Sequence, residues 1–439
     1  MDYASSEARG GSVRDESPTA RHEQTSWGSD LLAQALAKQN MAMAWKRVKA
    51  NKGSAGVDGR TVEQTGEYLK THWLVIRQSL QDGTYRPSPV RRVQIPKPGG
   101  GKRELGIPTV TDRLIQQALL QVLQPVIDPT FSEHSFGFRP GRGAHGAILQ
   151  AHGYVQEGYA VVVDVDLEQF FDRVNHDILM DRLARRLTDK VVLRLIRRYL
   201  QAGIMDGGLQ TERHEGTPQG GPLSPLLANV MLDEVDRELE RRGHKFVRYA
   251  DDCNVYVKSI ASGQRVLAGL RRCYARLRLS LNEAKTAVAP VWKRKFLGYC
   301  FWLSPTGKVR RDVADAALKR YRQRVRQLTR RQTGRSLQEI GAALQAFMPG
   351  WKAYFQLTQT PSTFRALDKW LRHRLRAIQL KFWRRGTTVF RELRALGASV
   401  DVAAQVAAST RRWWYNSDKY VNLVLTDAYF DRFGIPRLC

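Results

Sequence analysis

Phe246-Val247-Arg248-Tyr249-Ala250-Asp251-Asp252-Cys253-Asn254-Val255-Tyr256-Val257 alternates in the manner of a β-hairpin and carries two adjacent carboxylates at its tip. Like charges this close repel, and a bound dication removes that cost. A plain turn is the competing explanation, because Asp favours turns through its own backbone hydrogen bonds. A second acidic stretch bears on the choice. Val161-Val162-Val163-Asp164-Val165-Asp166 places carboxylates at the end of a β-branched run that reads as a buried strand. If that strand lies beside the hairpin, one of its Asp side chains meets Asp251, and the set can hold two Mg²⁺ ions. Such ions, about 3.5–4 Å apart, clamp the attacking and leaving oxygens of a phosphoryl transfer. Oxygen ligands point to Mg²⁺ as the ion. Asp164 and Asp166 share a strand face, so alternation does not choose between them.

Outward from these two stretches, the pattern predicts helices over about 31–50, 61–80 and 112–126. A strand, a basic turn around Pro98-Gly99-Gly100-Gly101 and a second strand are predicted over 87–108. Helices are expected at 177–187 and 190–201. Ser224-Pro225 reads as the cap and first position of a strong amphipathic helix that stops at Gly243. A helix over 263–279 and a strand over 296–303 follow. Strand, helices, hairpin, helix, strand is the order of a split βαβ palm.

The 439 residues carry 71 Lys and Arg against 42 Asp and Glu, a net charge of +29. A surplus of that size works against compaction unless an anionic partner neutralises it, and nucleic acid is the leading candidate. From 308 to 385 there are twenty basic residues and four acidic ones, Asp312, Asp315, Glu339 and Asp368, in a helical pattern. Trp351, Tyr354, Phe355, Trp370, Phe382, Trp383, Trp413 and Trp414 are interleaved with or follow these charges; most are expected in a helical core, where rings pack as readily as they stack on bases. An acidic membrane surface is the second candidate, but no run approaches the roughly 18 apolar residues of a membrane span, which excludes an integral membrane protein, and no membrane partner is expected. Cys253, Cys273, Cys300 and Cys439 form no CxxC pair, which argues against zinc or a disulfide framework. Residues 1–29 read as disordered and lack the pattern of a secretory signal, so a cytoplasmic location is expected.

Here the sequence resembles a family. Asp166-Leu167-Glu168-Gln169-Phe170-Phe171-Asp172, Pro218-Gln219-Gly220-Gly221-Pro222 and Tyr249-Ala250-Asp251-Asp252 look like successive palm motifs of a reverse transcriptase. Ser135-Phe136-Gly137-Phe138-Arg139-Pro140-Gly141-Arg142 and Leu223-Ser224-Pro225-Leu226-Leu227-Ala228-Asn229 are similar to the group II intron-encoded reverse transcriptase–maturases. In that family the first catalytic Asp stands five residues before an aromatic and six before another Asp. Phe171 and Asp172 fit, so the resemblance selects Asp166. It implies an α+β, right-hand polymerase fold: fingers and palm over 30–304, and an all-helical thumb or maturase domain over 305–439.

The resemblance further implies that Asp166, Asp251 and Asp252 are catalytic and hold two Mg²⁺ ions, with the Leu167 carbonyl as another ligand. Phe171 would lie under the incoming sugar and exclude a 2′-hydroxyl. Gln219, Lys97 and Arg103 would contact the nucleotide, the two cations suiting a triphosphate. Lys285 would protonate departing pyrophosphate. The implied partners are intron RNA, an RNA template, a DNA primer or target, and dNTPs. Without Cys-pair and His clusters for an HNH extension, the chain looks like the endonuclease-lacking branch typified by group IIC introns. The expected function is RNA-directed DNA synthesis with assistance to splicing and retrohoming. A splicing cofactor with an idle polymerase, or a domesticated reverse transcriptase in defence or repair, is the alternative.

Overall fold

The computed structural model describes residues 30–96, 101–206, 209–211, 215–330 and 334–439. Lys97 and the expected disorder of residues 1–29 lie outside these; of Arg103 only the backbone is described. In chain order the strands begin with β1 (Val90–Pro96) and β2 (Lys102–Ile107), an antiparallel hairpin in which Ile95 faces Arg103. After β3 (Val161–Val165) come β4 (Ile204–Asp206) and β5 (Leu209–Thr211), which extend the β1–β2 sheet. Then β6 (Lys245–Tyr249), β7 (Asp252–Val257) and β8 (Ala287–Pro290) join β3 in the order β6-β7-β3-β8. β7 lies antiparallel between β6 and β3, so β6 and β3 run parallel and are split by an inserted strand. That is the split βαβ palm. The helices Ser224–Arg241 and Ile260–Arg276 supply apolar side chains to its main core, packing Leu227, Val230 and Leu270 with Val163 and Val255.

Local chemistry explains where the expected elements shift. The 31–50 helix is two, Leu31–Ala35 and Lys38–Ala50. At the break the buried Asn40 amide donates to the Ala35 carbonyl at 2.8 Å and to Ala118 at 3.0 Å, satisfying an end that periodicity does not reveal. Ser224 is not the helix cap; it is already helical, behind Leu223. Its hydroxyl donates to the Pro218 carbonyl at 2.7 Å and accepts from Thr217 at 3.0 Å, tying the helix to the Pro-Gln-Gly-Gly turn. The 296–303 strand breaks at Leu297 and Gly298, both at positive φ, into β9 (Lys295–Phe296) and β10 (Tyr299–Leu303). β11 (Val309–Val313) pairs back on β10, so residue 304 sits in a hairpin turn, and the helices start at Asp315.

The C-terminal region is helical and has its own core. Its spine is the 23-residue helix Pro361–Trp383, whose Leu367, Leu371, Leu375 and Ile378 are buried. Trp351, Trp370, Trp383 and Trp413 pack against this core, whereas Tyr354, Phe382 and Trp414 are exposed. A third apolar cluster joins palm to helices through Val162, Val247, Tyr256, Tyr299, Val313 and Phe355. No helix among the described residues is long and apolar enough to cross a membrane.

One buried charge fixes the hairpin tip. Arg248 on β6 and Asp236 on helix Ser224–Arg241 are both 0% exposed, and the guanidinium Nε donates to both carboxylate oxygens at 2.8 and 3.0 Å. The same guanidinium donates to the Asn229 side chain and to the Ala250 carbonyl, each at 2.9 Å. Removing one partner of such a pair strands the other without water or counter-charge. Arg248→Met is therefore expected to lower unfolding free energy by about 3–5 kcal/mol. Adding Asp236→Leu should recover much of that loss. Urea unfolding of the single and double variants measures both.

Candidate active site

The turn carrying Asp251 is short and strained. Tyr249 pairs with Asp252 across it, leaving Ala250 and Asp251 as the loop, and Ala250 holds a φ of 57°, a left-handed conformation that costs a non-glycine residue. Arg248 accepts that cost by bonding the Ala250 carbonyl. From outside, His134 and Phe136 exchange backbone hydrogen bonds with Arg248 at 2.9 Å. A Cβ on Gly137 would stand 2.2 Å from the Ala250 nitrogen, so only glycine lets this segment lie against the turn. Asn229 donates to the Gly137 carbonyl at 2.9 Å, closing the ring of supports.

β3 lies beside β7 in a register that pairs Asp164 with Asn254 and Val165 with Cys253. The next residue, Asp166, therefore comes up at the tip beside Asp252. The segment after β3 is pinned from a different part of the chain: Asp166 N–H donates to Thr286 Oγ1 at 3.3 Å, and Asn282 N–H donates to the Asp166 carbonyl at 2.8 Å. Leu167, buried, bridges to Leu281. That arrangement delivers Lys285, whose Nζ lies 3.3 Å from the Asp166 carboxylate.

Desolvation and the charges of Asp251, Asp164 and Asp166 push the Asp252 carboxyl up to about 7, with Lys285 opposing. Its exposure to solvent moderates that repulsion. Asp164, which the sequence left without a role, has a structural partner: Arg294 Nη2 sits 2.6 Å from its carboxylate and also donates to the Lys285 carbonyl. Burial raises the Asp164 pKa and Arg294 lowers it.

Among the described residues, no three His, Cys, Asp or Glu side chains are gathered closely enough to hold an ion. Asp166 is instead paired with Lys285. The donor chemistry still suits Mg²⁺: hard carboxylate oxygens of Asp166, Asp251 and Asp252 at one tip, repelling one another, with a peptide carbonyl following.

Phe171 and Gln219, far apart in sequence, line one cavity of about 480 Å³ together with Gly220, Leu105, Arg113 and Gln117. Backbone bonds assemble it. The Phe171 carbonyl accepts from Thr217 N–H at 2.7 Å, and the Gln219 carbonyl accepts from Gly106 N–H on β2 at 3.0 Å. Gly220, at φ 140°, could not carry a Cβ, which would fall 2.7 Å from the Gly106 carbonyl. β2 is thus stitched to the cavity wall at Gly106. Arg113 was not singled out in the sequence; desolvation lowers its pKa, and it donates to the Ser54 carbonyl at 2.7 Å.

The family described as reverse transcriptase (RNA-dependent DNA polymerase) matches residues 95–301, and the group II intron, maturase-specific domain matches residues 318–397. Protein YkfC of Escherichia coli (strain K12) is 38% identical over 208 residues, covering 46% of this chain and 55% of that protein. The group II intron-encoded protein LtrA of Lactococcus lactis subsp. cremoris is 38% identical over 278 residues, covering 62% of this chain and 45% of LtrA. The chain thus spans about half the length of these relatives. A solved chain from a partial Cas6-RT-Cas1–Cas2 complex aligns at 25% identity and a TM-score of 0.37, covering 56% of this chain and 42% of that one. The chain thus carries a reverse transcriptase domain followed by a group II intron maturase-specific domain, and is similar to the group II intron-encoded protein LtrA.

Proposed function

We propose that this chain is an RNA-directed DNA polymerase that also binds its intron RNA and assists its splicing and retrohoming, acting in the cytoplasm. The observation that carries the reading is the β3–β7 register, which brings Asp166 to the tip that bears Asp251 and Asp252. In this reading the fingers and palm, expected over 30–304, run on through the β10–β11 hairpin to Val313, and the helices from Asp315 onward act as thumb and maturase domain.

The reaction is attack of a primer 3′-hydroxyl on the α-phosphorus of a dNTP, with pyrophosphate leaving. Asp166, Asp251 and Asp252, with the Leu167 carbonyl, would hold two Mg²⁺ ions, which when bound stabilise charge on the attacking and leaving oxygens. The protein's own contribution is alignment. Phe171 forms one wall of the cavity, where a flat ring under the sugar leaves no room for a 2′-hydroxyl. Gln219 and the Gly220 backbone approach the nucleotide from the opposite stretch. Lys97 and Arg103 take the triphosphate. Lys285, standing at the carboxylates, is placed to give a proton to the departing pyrophosphate. Template and intron RNA would be held largely through phosphates by the basic helices.

Three measurements test this. Asp251→Asn should abolish primer extension on an RNA template with Mg²⁺ while RNA binding survives; full extension by the variant would remove the metal assignment. Phe171→Ala should raise incorporation of rNTP relative to dNTP, and an unchanged ratio would undo the role given to the ring. RNA affinity should fall steeply with salt, log K against log[salt] sloping by about −0.7 per single-strand phosphate contact. A flat response would show that the surplus charge serves another purpose.

A further inference from the structure

The basic helices are not uniformly basic; they enclose a pocket. Helix Pro361–Trp383 ends at Arg384, whose φ of 52° swings the chain through Arg385 into helix Gly386–Ala395. Between that corner and the turn before helix Trp413–Lys419 lies a cavity of about 640 Å³. Its charged lining residues are Lys381, Arg384, Arg385 and Arg411, with no carboxylate in the wall, and two threonines and Trp413 complete the lining side chains. The corner is tightly built: a Cβ on Gly386 would come 2.8 Å from the Ala407 carbonyl. Trp413 is half-buried against the helical core, and the Lys381 ammonium stands 5.5 Å from its ring centroid.

Some arginines elsewhere in this region are paired with acids. Arg372 meets Asp427, Arg437 meets Asp431 and Arg391 meets Glu392. The guanidiniums of Arg384, Arg385 and Arg411 meet no acceptor among the described residues. Three guanidiniums converging in a wall without a carboxylate repel one another, and an anion entering between them relieves that repulsion. Forked guanidiniums match phosphate oxygens, and a fixed indole beside them offers a face for a base. A cavity of this volume is in the range that encloses a small organic ligand.

We propose that this cavity binds an unpaired nucleotide of structured RNA, its phosphate held by Arg384, Arg385 and Arg411 and its base against Trp413. The proposal rests on the maturase reading and gives it a site: it marks where an RNA bulge or loop docks, because only an unpaired base can leave its helix to reach the ring.

The test is equilibrium binding of the full chain to an RNA hairpin with one bulged adenosine, to its fully paired counterpart, and to the DNA version of the bulged hairpin. Arg384→Ser/Arg411→Ser should bind the bulged RNA roughly tenfold more weakly and lower the magnitude of the salt slope by about 1.4, at about 0.7 per lost contact. Trp413→Leu should erase the preference for bulged over paired RNA. Arg241→Ser/Arg271→Ser removes the same charge from the palm surface, where each residue pairs with a glutamate, and should leave affinity nearly unchanged. Circular-dichroism melting confirms that each variant is folded. Equal losses in the palm variant, absence of any bulge preference in the unaltered chain, or a DNA hairpin bound as tightly as RNA would each overturn the proposal. So would displacement of the RNA by polyglutamate as effectively as by unlabelled RNA, which would assign the cavity to an acidic protein. An unaltered chain that binds no RNA at all would sink the maturase reading itself, whereas RNA binding unaffected by the double variant would sink only this site.

Discussion

A fully buried guanidinium governs the geometry at the palm's tip. Arg248 is shut away from water, which is tolerable only because Asp236 neutralises it and every direction of its fork finds an acceptor. Those acceptors belong to different pieces of chain. Asp236 and Asn229 come from the helix behind the sheet, and the Ala250 carbonyl comes from the hairpin loop itself. Backbone groups of His134 and Phe136 clamp the same residue from the side. A left-handed alanine next to an aspartate would relax in an isolated hairpin; here its carbonyl is fixed by a donor that cannot move without exposing a charge. The position of Asp251 is thus set by burial energetics several residues away from it.

The other half of the tip is set by a different device. Asp166 is not held by a buried charge but by backbone stitching to the segment 281–286, which brings Lys285 with it. Acid and base arrive together because they are tied through one loop. Arg294 performs a similar service for Asp164, one turn of pleat back. The carboxylates at the strand ends are therefore spread over two cations, and the remaining repulsion concentrates on Asp252. The rigid part of the site is the Arg248 side; on the other side the Lys285–Asp166 pair is largely open to solvent and binds weakly.

What the sequence made legible follows from the kind of signal each feature leaves. The neighbouring strand and hairpin, the helix 190–201 and the palm order were readable because periodicity and turn residues are local. Acids at the hairpin tip and at the end of the β-branched run stood out against that periodicity, but alternation did not choose between Asp164 and Asp166, and only the family resemblance selected Asp166. Arg248 left no such mark: an arginine at a strand's polar position reads as solvated, and only its burial against Asp236 reveals otherwise. Ser224 carried the right cap chemistry, yet tertiary contact with Pro218 claimed its hydroxyl. The break after Ala35 depends on Asn40 reaching two carbonyls, one of them 78 residues away in sequence. β11 escaped because its residues read as the start of the basic helical region, while its strand character comes from pairing with β10. The pairing of Asp166 with Lys285 could not be inferred either, since spacing says which acids can meet but not which cation reaches one first.

The allotment of acids in the C-terminal region explains why its charge remains available. Only four carboxylates stand among the twenty basic residues of 308–385, and three of them are committed to the backbone or to a hydroxyl. Asp312 accepts from Thr363 and from Val313 N–H; Glu339 closes a capping box with Ser336; Asp368 accepts from Leu438 and Cys439 N–H; Asp315 sits in the first turn of its helix. Among the described residues none of the four forms an ion pair with a Lys or Arg. Acids used this way stabilise helix starts and chain crossings without discharging the surface. In the palm the opposite holds: Glu234, Glu238, Glu240 and Glu283 are all paired with arginines. The acids of 308–385 thus leave most of that stretch's charge to an external polyanion, although Asp427 from further along the chain meets Arg372, whereas in the palm the pairs serve cohesion.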